Sequence, residues 1–277
     1  MVLVADSGST KAAWRAIAED GSVKEIESEG INPVFMSEVE IDKILEKVAD
    51  EAGDAEKIYF YSAGVVGVEP TVKLRKCFAK IYPDAELIVA SDILAAARAV
   101  CGRKSGIVCI LGTGSNCCFY DGVKTSSDVK AGGFILGDEG SGAYLGKKLL
   151  SDFIKKMMPL AIEREFKKRF PDLNYATIVR KVYSEPMPSR FLASFSPFIS
   201  EFRNHPYMAT LLKSSFEEFI KRNVIHYDYM HNPVSFVGSI ADEYSQIIEK
   251  CLSGSGIRLG RIVKSPIDGL VVYHKEA

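Results

Sequence analysis

The sequence predicts an α/β protein made from two copies of one domain, and three observations carry that prediction. The apolar run Val2–Ala5 ends at Asp6, passes through a loop of glycine and small hydroxyl residues, and resumes as Ala12–Ala18. The same order recurs at Gly106–Tyr120, around Gly112-Thr113-Gly114-Ser115. Each hairpin is followed by an Asp-Gly turn signal, Asp20-Gly21 and Asp121-Gly122, and then by a third apolar segment beginning at Val23 and at Val123. A repeat this long indicates a duplicated domain, since solenoid repeats are far shorter.

The remaining elements follow in chain order. Gly30-Ile31-Asn32-Pro33 closes the third strand, and Asn before Pro is an ordinary turn initiator. Ser37 is placed to cap a helix over about 37–50, whose apolar face is Val39, Ile41, Ile44, Leu45 and Val48. Lys57–Tyr61 reads as a strand ending in Ser62-Ala63-Gly64, Thr71–Ile81 as a helix, and Glu86–Ala90 as a strand running into Ser91-Asp92 and a helix, Ile93–Val100. In the second half, helix is expected over about 142–156 and, broken by prolines, through about 150–230. A buried strand then leads into Val237-Gly238-Ser239. A helix Ala241–Leu252, a short strand Ile257–Leu259 and a last helix to Lys275 complete the chain.

Chemistry concentrates at the loops. Gly8 tolerates positive φ, and successive amides and hydroxyls in such a turn can cradle phosphate oxygens. A carboxylate at Asp6 would repel phosphate unless a cation lies between them, so the loop suggests a metal–nucleotide complex; a hairpin with a solvated Asp is an equal alternative. Asp92 follows a strand and opens a helix, where Ser and Asp are favoured caps, yet ligands in open α/β sheets lie beyond the carboxyl ends of strands. Asp6, Gly64, Asp92 and Gly112 would all stand at such ends. The segment 132–142 is too rich in glycine to pack as a regular element, so it either turns sharply or brings backbone close to a ligand. Asp138 and Glu139 within it could cap the following helix or bind sugar hydroxyls or a metal. Gly146-Lys147 fails as a phosphate-loop match, because Lys148 follows and the glycine spacing is wrong, and no G-x-G-x-x-G follows a strand.

Bulk properties narrow the classes. The formal net charge of −1 leaves no basic field for nucleic acid. The lysines of 155–168 alternate with glutamates, as on a solvated helix face. No apolar run is long enough to span a bilayer and no leader pattern is seen at the start, so a cytoplasmic protein is expected. The six cysteines form no C-x-x-C and the four histidines lack zinc spacing; reduced thiols and no structural zinc are expected.

Taken together, Asp6-x-Gly8-x-Thr10-Lys11, Leu111–Asn116, Gly132-Gly133, Gly137–Ser141 and Val237-Gly238-Ser239 resemble the N-acetylglucosamine kinase branch of the sugar kinase/Hsp70/actin superfamily, in the family that also holds dehydratase-activating ATPases. The resemblance covers nearly the whole chain. It implies two ribonuclease H-like domains, each a β-meander plus helices, with an interdomain nucleotide cleft. The N-terminal domain would span 1–104, with the last helix, 266–277, packing back onto it. The C-terminal domain would span 105–265, with the helical insertion inside it. ATP and Mg²⁺ are the implied cofactors, with Asp6 holding the metal. Gly8, Ser9, Thr10 and Lys11 with Gly112, Thr113 and Gly114 would bind the phosphates, and Gly238 and Ser239 the nucleoside. Asp92 matches the family's catalytic base, and Asn32, Ser115, Asn116, Gly133 and Asp138 match substrate-binding positions. The implied activity is ATP-dependent phosphorylation of the 6-hydroxyl of an amino sugar, N-acetylglucosamine first among them. The alternatives are an ATPase activator of a 2-hydroxyacyl-CoA dehydratase type of enzyme and a non-catalytic nucleotide- or sugar-binding regulator. The expected partners are ATP and an amino sugar, without nucleic acid or membrane; a homodimer is compatible with all of this.

Overall fold

The computed structural model describes residues 1–8, 11–65 and 67–275. They form two compact units. Unit 1 comprises Met1–Lys104, Asp121–Thr125 and the stretch from Ser265 onward; unit 2 comprises Ser105–Tyr120 and Ser126–Lys264.

Unit 1 is built on five strands: β1 (Val2–Ser7), β2 (Lys11–Ile17), β3 (Val23–Glu29), β4 (Lys57–Ser62) and β5 (Glu86–Ser91), in the order β3-β2-β1-β4-β5. The first three form an antiparallel meander, and β4 and β5 extend it in parallel from β1. Parallel strands need long crossovers, and helices α1 (Glu38–Ala52) and α2 (Val68–Ile81) supply them. Helix α1 starts in a capping box: Ser37 Oγ accepts from the Glu40 N–H, while the Glu40 carboxylate accepts from the Ser37 N–H. Its apolar face closes a core around Trp14, Phe60 and Phe78. On the other face, α3 (Asp92–Cys101) and the C-terminal helix bury Val4, Tyr61, Ala95 and Ala99.

The second sheet repeats the plan. Strands β6 (Gly106–Leu111), β7 (Ser115–Tyr120), β8 (Thr125–Ser126), β9 (Val234–Val237) and β10 (Leu259–Val263) order as β10-β9-β6-β7-β8. Read from the β8 edge, this is the unit 1 order: third, second, first, fourth and fifth strand. The hairpin β6–β7 is antiparallel, and β9 and β10 run parallel beside it. Helices α4 (Gly133–Leu136), α5 (Gly142–Ile154), α6 (Leu160–Arg169), α7 (Tyr175–Tyr183), α8 (Pro188–Ala193), α9 (Ser196–Glu201) and α10 (Pro206–Arg222) lie between β8 and β9. Their phenylalanines, among them Phe166, Phe195, Phe198, Phe216 and Phe219, form the centre of this unit's core. Helices α11 (Ser239–Glu243) and α12 (Ser245–Gly254) follow β9, and α13 (Ile267–Lys275) ends the described chain in unit 1.

Four local expectations change. The helix expected over 241–252 is two helices, broken at Tyr244, whose buried ring packs against Phe216. The last strand lies at 259–263 because pairing with β9 sets its position. The third strand of the second meander is only two residues long. One turn of helix, α4, forms inside the glycine-rich segment. Among the described residues no helix is long and apolar enough to cross a membrane. The described cysteines are reduced thiols, all buried except the half-buried Cys101.

Candidate active site

In unit 1 three strand ends meet in register. Ser7 pairs with Ser62, and Ser62 with Ser91, so β1, β4 and β5 finish on one rim of the sheet. Beyond them lie Gly8, Ala63-Gly64 and Asp92; Asp6 sits one residue inside the rim on β1. The Gly8 N–H donates to the Lys11 carbonyl at 3.0 Å and closes the β1–β2 turn. Ser9 and Thr10, expected at the phosphates, lie outside the described residues.

The same rim fixes Asn32. Ser7 Oγ and Ser62 Oγ both donate to the Ile31 carbonyl, at 3.1 and 2.7 Å, and the Ile31 N–H donates back to Ser7 Oγ at 2.7 Å. Asn32 follows at once, buried, with Oδ1 accepting from the Val34 N–H at 3.0 Å. A Cβ on Gly64 would lie 2.5 Å from that Oδ1, and Gly64 has φ +84°, so glycine is required there on two counts. The turn role of Asn32 is therefore present, and it also places the side chain against the rim.

Asp92 is the first residue of α3. The cap is Ser91, whose Oγ accepts from the Leu94 N–H at 3.4 Å, while Asp92 Oδ1 accepts from the Ile93 N–H at 2.8 Å. The helix is thus already capped without Asp92. Burial raises the Asp92 pKa above the ordinary carboxylate range. Burial, and then the charge of Asp92, push Asp6 up to about 7. Two half-buried acids that repel each other are the chemistry a cation relieves. Among the described residues no group of three or more His, Cys, Asp or Glu is arranged to hold a metal. A site with so few protein ligands suits Mg²⁺, which keeps several waters and takes one or two carboxylates together with phosphate oxygens. Asp6 and its surroundings fit that ion.

In unit 2 the turn between β6 and β7 is Gly112-Thr113-Gly114, closed by the Gly112 N–H donating to the Gly114 carbonyl at 3.0 Å. The first amides of α5 hold it: Gly142 N–H donates to the Gly112 carbonyl at 2.9 Å and Ala143 N–H to the Thr113 carbonyl at 3.0 Å. Asp138 closes on the same turn. Its Oδ1 accepts from the Ser115 N–H at 3.0 Å, and a Cβ on Gly114 would stand 3.1 Å from both of its carboxylate oxygens. Asp138 is buried, has φ +59°, and its pKa is raised by burial against the opposing bond from Ser115. The cap of α5 is Ser141, not either acid: Ser141 Oγ accepts from the Tyr144 N–H at 3.1 Å. Asn116, half-buried on β7, has Oδ1 on the Cys117 N–H at 2.9 Å. Gly133 is exposed, with φ +68°. Gly238 has φ +128° at the end of β9, and a Cβ there would strike the Leu111 carbonyl. Ser239 is exposed at the start of α11.

Unit 1 thus brings Asp6, Gly8, Lys11, Asn32 and Asp92 to its rim. Unit 2 groups the 112–114 turn with Ser115 and Asp138 and sets Gly238 against the end of β6. Lys147 on α5 was not expected here. Its Nζ donates to the Phe134 carbonyl at 2.8 Å, and its charge acts on Asp138. Glu139 is also buried, within reach of Asn223 Nδ2 at 3.5 Å and Arg222 Nε at 3.7 Å.

No protein-family model and no curated protein matches the sequence. Solved structures do. A protein of Porphyromonas gingivalis assigned as an N-acetylglucosamine kinase is 39% identical, over 100% of this chain and 99% of that one, with a TM-score of 0.93. A Chromobacterium violaceum protein with the same assignment is 19% identical over 98% of both chains, TM-score 0.73. A ROK family glucokinase of Streptomyces griseus, solved with glucose and AMPPNP, is 18% identical over 100% of this chain and 98% of that one, TM-score 0.59. The last two share the fold.

Proposed function

Because the chain belongs to the N-acetylglucosamine kinase-like family of the sugar kinase/Hsp70/actin superfamily, we propose that it is an ATP-dependent sugar kinase, transferring the γ-phosphate to the 6-hydroxyl of an amino sugar, N-acetylglucosamine first among them. The observation that carries this is Asp92: a half-buried carboxylate at a strand's carboxyl end, beside a second half-buried acid, on a helix that another residue caps.

The roles divide between the units. In unit 1, Asp92 accepts the proton of the attacking hydroxyl; a carboxylate whose pKa burial has raised is a stronger base than one in water. Asp6 would hold Mg²⁺, and Gly8, Ser9, Thr10 and Lys11 would bind the phosphates. The ion, when bound, neutralises charge on the polyphosphate. Asn32 contacts the sugar. In unit 2, Gly112, Thr113 and Gly114 offer amides and a hydroxyl to phosphate, and Gly238 and Ser239 lie at the nucleoside. Ser115, Asn116, Gly133 and Asp138 orient the acceptor. Phosphoryl transfer needs little covalent help from a protein, so positioning and charge stabilisation are the main work of these groups.

A coupled assay of ADP release across a panel of hexoses and amino sugars tests the reading. N-acetylglucosamine should stimulate release, and Asp92→Asn should lower kcat by roughly 10²–10⁴-fold while calorimetry shows little change in sugar binding. If no sugar stimulates ADP release, the kinase reading fails; if Asp92→Asn turns over at the parental rate, Asp92 is not the base.

A further inference from the structure

The glycine-rich segment does more than carry Asp138. Directly after Gly133, Phe134 and Ile135 form one wall of a groove in unit 2, completed by Leu150 and Ile154 of α5 and by Ile178 and Val182 of α7. Its volume is about 450 Å³, inside the range of roughly 300–1,000 Å³ typical of small-molecule sites. The lining is mostly apolar, and its only charged members among the described residues are Lys147 and Lys155, both cations. An apolar trough with cations and no acid in its lining is complementary to a ligand with an apolar body and an anionic end.

The groove lies beside the segment that carries Asp138. Lys147 lines it, pins the Phe134 carbonyl at 2.8 Å, and acts through its charge on Asp138. One segment, 132–138, therefore bears Gly133 and Asp138 at one function and Phe134 and Ile135 at the other. Ile135 is 73% exposed, an apolar side chain left without cover at the groove. Burial lowers the Lys147 pKa, and the charges of Glu139 and Asp138 act against that shift.

We propose that this groove binds a substituent of the acceptor: an apolar acyl chain on the amino-sugar nitrogen, longer than acetyl and ending in a carboxylate that pairs with Lys147 and Lys155. The proposal rests on the sugar-kinase reading and names a substrate class within it. Three probes separate the contributions: N-acetylglucosamine, N-pentanoylglucosamine and N-glutarylglucosamine, the last two equal in acyl length and different in end charge. The KM should fall from acetyl to pentanoyl, and fall again for glutaryl by roughly two- to fivefold, the range expected of a partly solvated charge pair. Lys155→Met should remove the advantage of glutaryl over pentanoyl and leave that of pentanoyl over acetyl. Phosphorylation of N-acetylglucosamine with no gain for the longer chains would overturn the groove assignment and leave the kinase reading standing. Calorimetry without nucleotide keeps the two apart if no turnover is found: tight binding of N-glutarylglucosamine, weakened by Lys155→Met, supports the groove, and its absence, or its survival unchanged in that variant, sinks it.

Discussion

His274 shows how much one side chain on the last helix governs. Arg98 donates to the Tyr61 hydroxyl at 2.6 Å, and the hydroxyl lies 2.8 Å from His274 Nε2. The ring's Nδ1 is buried and has no hydrogen-bond partner among the described residues. The ring stacks on Tyr59 with centroids 3.7 Å apart. Burial, and then the charge of Arg98, lower the His274 pKa to about 4. A base whose pKa is lower in the folded state than in the unfolded chain, where it is about 6.5, adds stability that is whole above pH 6.5. That stability is lost as pH falls through about 4. The ring is half-buried, so solvent screens part of the effect and its size is on the order of 1–2 kcal/mol. The stability lead of the parent over His274→Phe, from urea midpoints, should shrink by that amount between pH 7 and pH 4; a lead independent of pH would refute the assignment. Such effects are not legible in sequence. Asp6 and Asp92 can be read as acids that end apolar runs, since a strand signal and an acid are local. The roles of His274 and Lys147 are made by residues far away in the chain. Lys147 enters the sequence reading only as a rejected phosphate-loop lysine, because nothing nearby announces that its ammonium will meet the carbonyl of Phe134.

The packing of α13 on α3 turns on Gly269. A Cβ there would lie 2.5 Å from the Ala99 carbonyl oxygen and 2.8 Å from its Cα. Alanine in place of a helical glycine normally gains about 1 kcal/mol. Here the new methyl meets backbone, which cannot rotate away, and overpacking costs about 1–3 kcal/mol. The clash should win, so Gly269→Ala should lower the thermal midpoint; a raised midpoint would show that the two helices part without penalty. Elements of this kind were legible when their signals were local. Helix α1 carries its own start in Ser37 and Glu40, and the two hairpins carry their loops and Asp-Gly turns. Elements set by tertiary contact were not. The break at Tyr244 has no proline or glycine to mark it, and follows from a tyrosine ring taken into the core beside Phe216. Strand β10 lies where β9 pairs with it, beyond the apolar residues that suggested it.

At the scale of the whole molecule the duplication explains both what was legible and what can be measured. Two sheets with the same strand order follow from two meanders with the same loop pattern, and each unit closes its own core: Trp14, Phe60 and Phe78 in unit 1, and the phenylalanines of α6 to α10 in unit 2. Unit 1, however, is completed by the far end of the chain. Ile267 and Leu270 of α13 are buried against Val4, Tyr61, Ala95 and Ala99. Trp14 is the only tryptophan, and it is fully buried in unit 1, so its emission reports that unit alone. Ending the chain at Lys264 removes both buried aliphatic side chains, each worth about 2–5 kcal/mol in large-to-small comparisons. The Trp14 transition should therefore move to much lower urea, or be lost with the emission already red-shifted in buffer. Far-UV circular dichroism should retain a second transition, from the helices of unit 2, at its parental midpoint. Non-coincident probes are the signature of separate cooperative units. If instead both signals collapse together in the truncated chain, the two cores are one cooperative unit, and the stability of the helical unit depends on a C-terminal segment that packs in the other.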